Sequence, residues 1–171
     1  IDKNTFLNKY HIQGTDKSSI KLGAFLKKEL ISVMTLANPR ISLGLKNSIG
    51  DYELTRFASI SETSTPGIAN KMFSFFVKNY NPNMVYSYSD KRWNTGSLYL
   101  KLGFFLCKET NPNYWYVRSQ KRYHRFNFCK QRLSKLLENF DSSLTEYQNM
   151  LNNNYDRIWD CGSDKFIWIK K

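Results

Sequence analysis

The stretch Ser61-Glu62-Thr63-Ser64-Thr65-Pro66-Gly67-Ile68-Ala69-Asn70-Lys71-Met72-Phe73-Ser74-Phe75-Phe76-Val77-Lys78 decides the fold. Its first seven residues are turn formers. From Ile68 onward the apolar side chains fall at 68, 69, 72, 73, 76 and 77, a spacing that puts them on one face of a helix. Asn81-Pro82-Asn83 then stops that helix. On its N-terminal side, residues 52–58 alternate as a strand. Before them, residues 20–26 and 30–36 are β-type runs separated by Lys27-Lys28-Glu29, which predicts a hairpin with a polar turn. A short helix over residues 5–11, ending at Gly14, brings Phe6, Leu7 and Tyr10 to one face. On the C-terminal side come a strand at 84–88 and a two-turn helix from Ser97 that Gly103 can close. Strands near 105–107 and 114–117 follow. Residues 20–117 therefore read β-β-β-α-β-α-β, an α/β (mixed α+β) domain whose mostly antiparallel sheet is flanked by helices.

Past Val117 the character changes. Residues 118–135 contain Arg118, Lys121, Arg122, Arg125, Lys130, Arg132 and Lys135 without one acid. On a helix, Phe126, Cys129, Leu133, Leu136 and Leu137 would line one side and leave Arg122, Arg125 and Arg132 nearer the other. Thr145 can cap a short helix through Met150 and Leu151. Residues 157–161 against 165–169, across Gly162-Ser163-Asp164, read as a closing hairpin. The expected organisation is a domain over 1–117 and, packed on it, a basic helical and hairpin extension over 118–171.

Composition bounds the function. The 171 residues carry 26 Lys and Arg against 14 Asp and Glu, a net charge of +12. That suffices for one sizeable core, and its positive field favours polyanions, nucleic acid first. No run of 18 apolar residues occurs, and Ile1-Asp2-Lys3-Asn4 lacks the shape of a secretory leader. The expectation is a cytoplasmic, nucleoid-associated chain with no membrane partner, whose missing initiator Met points to sequence upstream. Cys107, Cys129 and Cys161 are odd in number and widely spaced, which suits a reducing compartment and buried thiols. Together with His124 they match no common zinc spacing, so no metal is expected.

Two resemblances rest on particular residues. Ser64-Thr65-Pro66-Gly67-Ile68-Ala69 sits where the GNAT acetyltransferase superfamily places its pyrophosphate-binding Gln/Arg-x-x-Gly-x-Gly/Ala turn. Asn94 to Phe104, with Tyr99 and the ending Lys101-Leu102-Gly103-Phe104, resembles that superfamily's second helix, whose tyrosine often acts as general acid. A narrower resemblance spans most of the chain. Tyr10-His11-Ile12-Gln13-Gly14, Glu53-Leu54-Thr55-Arg56-Phe57, Ser87-Tyr88-Ser89-Asp90-Lys91-Arg92-Trp93, Asn111-Pro112-Asn113-Tyr114-Trp115-Tyr116 and Ile158-Trp159-Asp160-Cys161-Gly162 look like the C-terminal region of phage-type homing endonucleases. That resemblance implies an upstream nuclease domain similar to the very-short-patch repair endonuclease.

These readings lead to a GNAT-like domain that recognises double-stranded DNA for an upstream nuclease and is not itself catalytic, with no cofactor. The expected DNA contacts are Lys17, Arg40, Lys91, Arg92, Trp93, Arg118, Lys121, Arg122, His124, Arg125, Lys130 and Arg132. The alternative is an N-acyltransferase using acetyl-CoA, with DNA bases as one class of acceptor. Its cradle would be Gly67, Ile68 and Ala69, its acid Tyr99 and its base Glu53 or, as the other candidate, Glu62. Asp51 and Asp90 read as turn caps or arginine partners. A third class is an interaction domain whose basicity is incidental.

Overall fold

Asp2 opens the fold by accepting hydrogen bonds from the backbone N–H of Asn4 (2.7 Å) and Thr5 (3.1 Å), which caps α1 (Lys3–Tyr10). The computed structural model describes residues 2–39, 49–62 and 64–170. Two compact units emerge, one of Ile1–Glu109 with Asp164–Lys171 and the other of Thr110–Ser163.

In the first unit, β1 (Ile20–Leu26) and β2 (Glu29–Ala37) form the expected hairpin, closed by Lys27 and Lys28, both with positive φ (48° and 72°). Then come β3 (Asp51–Ser59), α2 (Ile68–Tyr80), β4 (Met84–Asp90), α3 (Ser97–Lys101) and β5 (Phe105–Glu109). The strand order is β1-β2-β3-β4-β9-β5, where β9 is Ser163–Ile169. The β1–β2, β2–β3 and β5–β9 pairs are antiparallel, whereas β3 and β4 run parallel. The apolar stripe of α2 buries Met72, Phe73 and Phe76 against Met34, Leu36, Leu54 and Val85. Phe6 and Leu7 of α1 cover Leu30, Val33 and Ala58 on the other face.

A β-bulge determines which residues of β3 meet which layer. Arg56 pairs with Thr35 but Leu54 with Leu36, so Thr55 is the extra residue. Without it Leu54 and Ala58, four apart, would share a face. With it, Leu54 packs with α2 and Ala58 with α1.

In the second unit, β6 (Tyr114–Arg118) lies between β7 (Lys121–His124) and β8 (Asp156–Trp159). One 3-10 turn (Arg125–Phe128), α4 (Lys130–Leu136) and α5 (Glu146–Asn152) complete it. Tyr116, Phe128, Leu133, Leu137, Met150 and Tyr155 form its core. Thr145 and Gln148 form a reciprocal capping box at the start of α5.

Several expectations are corrected. The basic helix over 118–135 is instead a β6–β7 hairpin, a 3-10 turn and a short helix. The run 121–124 pairs with β6 across Ser119 and Gln120, whose positive φ values suit a two-residue turn. The closing hairpin is absent because β8 pairs with β6 while β9 pairs with β5. The boundary expected after Val117 falls inside the second unit, which the chain enters after Glu109 and leaves before Asp164. Cys107 and Cys161 are exposed rather than buried. Among the described residues no helix is long and apolar enough to cross a membrane.

Candidate functional site

The parallel pair β3–β4 holds register only over Asp51–Glu53 against Met84–Tyr86. Beyond those three pairs the strands separate, and the point of divergence is clamped on both faces. On one, Ser87 Oγ lies 2.7 Å from the Leu54 carbonyl and 2.9 Å from the Tyr99 hydroxyl. On the other, the buried Tyr86 hydroxyl donates to Glu53 Oε2 at 3.1 Å. A carbonyl only accepts, so the single Ser87 proton goes to Leu54 and Tyr99 donates to Ser87.

The opening beyond that clamp is a cavity of about 290 Å³. Four chain segments supply its walls: His11 and Gln13 after α1, Leu54 to Phe57 on β3, Tyr88 and Asp90 at the end of β4, and Trp93 to Tyr99 leading into α3. Arg56 fixes the first segment, because its Nε donates to the Gly14 carbonyl at 3.1 Å. Gly96 fixes the last. Its φ is 75°, and a methyl group there would overlap the Phe166 ring. Tyr99 stacks on Phe166 with ring centroids 5.1 Å apart.

Burial raises the Tyr99 pKa above the ordinary phenol value, so the group keeps its proton at neutral pH. His11 is lowered, first by burial and then by Arg56, which leaves a neutral imidazole. Its Nδ1 accepts the Gln13 N–H at 3.1 Å. Asp90 is held below the carboxylate range chiefly by the hydrogen bond from Arg92, outweighing its burial. Arg92 Nε lies 3.0 Å from Asp90 Oδ1 and Nη2 lies 2.5 Å from Oδ2.

A second hollow, lined by Asp16, Lys17, Glu53 and Arg56 among others, shares Thr55 and Arg56 with the first. Glu53 is 4% exposed and lines this hollow, whereas Tyr99 lines the cavity. The start of α2 presents Gly67 at φ 75°, with open space where its Cβ would point and no side-chain cap. Ser89, on the same strand face as Ser87, has a buried hydroxyl without a partner.

The described residues expected to contact DNA belong to several elements, those of 17–93 in the first unit and those of 118–132 in the second. Arg118 lies over Tyr155, Arg122 over Trp115, and Arg125 over both Tyr114 and Phe126. His124 meets Trp115 edge-on, and Lys121 sits on β7. Lys130 and Arg132 belong to α4. Lys91 bridges Glu109 and Asp164, and Arg92 holds Asp90. Lys17 is exposed at the second hollow, Trp93 is 62% exposed at the cavity, and Arg40 lies outside the described residues. Sequence reading passed over His11, Gln13, Arg56 and Asn94 as site residues. The signal for His11, Gln13 and Arg56 was membership of the blocks resembling the phage proteins, and for Asn94 its place at the start of the run resembling the GNAT second helix.

No family model and no curated protein matches this chain. Solved structures do. The ribosomal-protein-S18-alanine N-acetyltransferase of Escherichia coli superposes with a TM-score of 0.52 at 6% identity, over 96% of this chain and 83% of that one. A GNAT-family acetyltransferase of Streptococcus pneumoniae gives 0.51 at 9% identity, over 88% of this chain and 66% of that one. A Bacillus subtilis acetyltransferase in complex with CoA gives 0.48 at 13% identity, over 87% of this chain and 75% of that one. The fold is GNAT-like. This overturns the expectation of a non-catalytic duplex-recognition module without a cofactor. The structures that share the architecture are acetyltransferases, and the cations meant to form one DNA-facing row sit on separate elements.

Proposed function

We propose that the first unit is an acyl-CoA-dependent N-acyltransferase acting at the opening between β3 and β4. Acyl-CoA supplies an activated thioester and a phosphate-bearing tail, and the residues present suit both. The uncapped N-terminus of α2 offers outward N–H groups and the positive end of its dipole, with no acid in the first turn. Open space at Gly67 leaves that end accessible to phosphate. Two departures from the family turn reduce its donors: Ser64 replaces Gln or Arg, and Pro66 has no N–H. Where β3 and β4 part, the gap between them gives an extended, amide-bearing arm a place to enter. Tyr99 carries a hydroxyl proton, given to Ser87 in the resting site, that turns to a leaving thiolate.

The observation that carries this reading is the placement of the protonated Tyr99 phenol in the gap between diverging parallel strands. The test is thermal unfolding with acetyl-CoA. A ligand that binds only the folded form at about 100 times its Kd stabilises by about 2.7 kcal/mol, a readily measured rise in Tm. Gly67→Asp should abolish that rise by placing a carboxylate before the helix, while Asp tolerates the left-handed backbone. No rise in the unmodified chain would overturn the reading.

A further inference from the structure

The cavity also discriminates among amines. An aliphatic amine reaches an enzyme at neutral pH as an ammonium ion, and a group in the site must take its proton before it can attack. Here each group able to do so already holds a donor. Asp90, the one carboxylate among the described lining residues, is bonded twice by Arg92. Glu53 accepts from Tyr86 and lines the neighbouring hollow. The His11 lone pair at Nδ1 is occupied by the Gln13 N–H. Arg56 in the wall and the net charge of +12 further oppose a cationic acceptor.

A neutral amine carried on a polyanion meets none of these obstacles. The mouth of the cavity supplies what such an acceptor needs. Trp93 is 62% exposed, on a turn fixed by N–H bonds from Trp93 and Asn94 to the Asp90 carbonyl, both 3.0 Å. An exposed indole stacks on a base, and the amides of Gln13 and Asn94 match the edge of an aminopurine or aminopyrimidine.

We infer that the acceptor is the exocyclic amine of an unpaired nucleobase in a single strand, stacked on Trp93, an inference that rests on the acyltransfer reading above. The amine nitrogen bonds to the thioester carbonyl carbon as the carbon–sulfur bond breaks. The sulfur leaves with the electron pair and takes the Tyr99 proton, and the surplus proton on nitrogen passes to solvent, from which Tyr99 is reprotonated.

The full chain with acetyl-CoA is offered single-stranded DNA, single-stranded RNA, the matching DNA duplex, lysine-bearing peptides and a polyamine. Nuclease digests are then read for acetylated nucleosides by mass spectrometry. Transfer to either single strand at least about tenfold faster than to peptide, polyamine or duplex supports the inference, and the two strands show which sugar is preferred. Trp93→Ala should weaken single-strand binding about tenfold by fluorescence anisotropy without acetyl-CoA, while the acetyl-CoA rise in Tm persists. Faster transfer to peptide or polyamine, an acetyl-CoA rise in Tm with no nucleoside product, or unchanged strand binding by Trp93→Ala would overturn it. Absence of any acetyl-CoA rise removes the acyltransfer reading as well.

Discussion

At the scale of single residues, the site depends on a few groups whose partners are fixed by proton counting and by space. Tyr99 donates to Ser87 and stacks on Phe166, so Tyr99→Phe keeps the ring and loses the proton. The expected result is a fall in kcat of about 100-fold, with the acetyl-CoA rise in Tm retained and stability changed by only about 1 kcal/mol. Steady-state kinetics beside thermal unfolding separates the two effects. Gly96→Ala should lower stability by more than about 2 kcal/mol in denaturant titration, because it combines left-handed strain with overlap of Phe166. Asp16 shows a different role. Burial alone would raise its pKa from 3.8, but hydrogen bonds from Thr55, Thr35 and Lys3 outweigh that and hold it at about 2. A carboxylate depressed on folding stabilises the fold above its unfolded pKa, and that contribution is lost as pH falls through the folded value. Asp16→Asn should therefore cost about 2 kcal/mol at neutral pH, and the difference from the parent should shrink as pH drops from about 4 to about 2 and vanish below that.

At the scale of elements, the hairpin β1–β2 is formed in spite of its turn. Lys27 and Lys28 both occupy the left-handed region, which costs a side-chain-bearing residue about 1–2 kcal/mol. Replacing the pair with Asn-Gly should raise stability by about 1–2 kcal/mol, read as a higher denaturant midpoint with an unchanged m-value. The hairpin and α2 were both legible in the sequence because each is set by local periodicity, and α2 buries the face its spacing designates. The bulge at Thr55 was not legible. Residues 52–58 alternate well enough to be read as one regular strand, and only pairing with β2 reveals the extra residue that turns Ala58 toward α1.

At the scale of the whole molecule, the chain leaves the first unit after Glu109 and returns at Asp164, and these two residues are register partners in the β5–β9 pair. Their adjacency allows Thr110–Ser163 to be replaced by Asn-Gly, joining β5 to β9 as an ordinary hairpin. All residues lining the cavity belong to the first unit. The shortened chain should therefore fold cooperatively and keep the acetyl-CoA rise in Tm. Loss of that rise in a folded variant would show that residues 110–163 contribute to cofactor binding.

The sequence by itself determined the elements of the first unit, because helix and strand periods and turn chemistry act over a few residues. It also marked Tyr99 and the Gly67 turn, since both lie in short blocks of recognisable order. Only tertiary structure decided where β9 goes. Residues 157–161 and 165–169 have the local signs of a hairpin, yet each pairs with a strand some 40 to 60 residues away in sequence. The site depended on the same level of organisation. His11, Arg56, Asp90 and Tyr99 come from four separate segments and meet because β3 and β4 part after three pairs, a property of the sheet that no local pattern encodes.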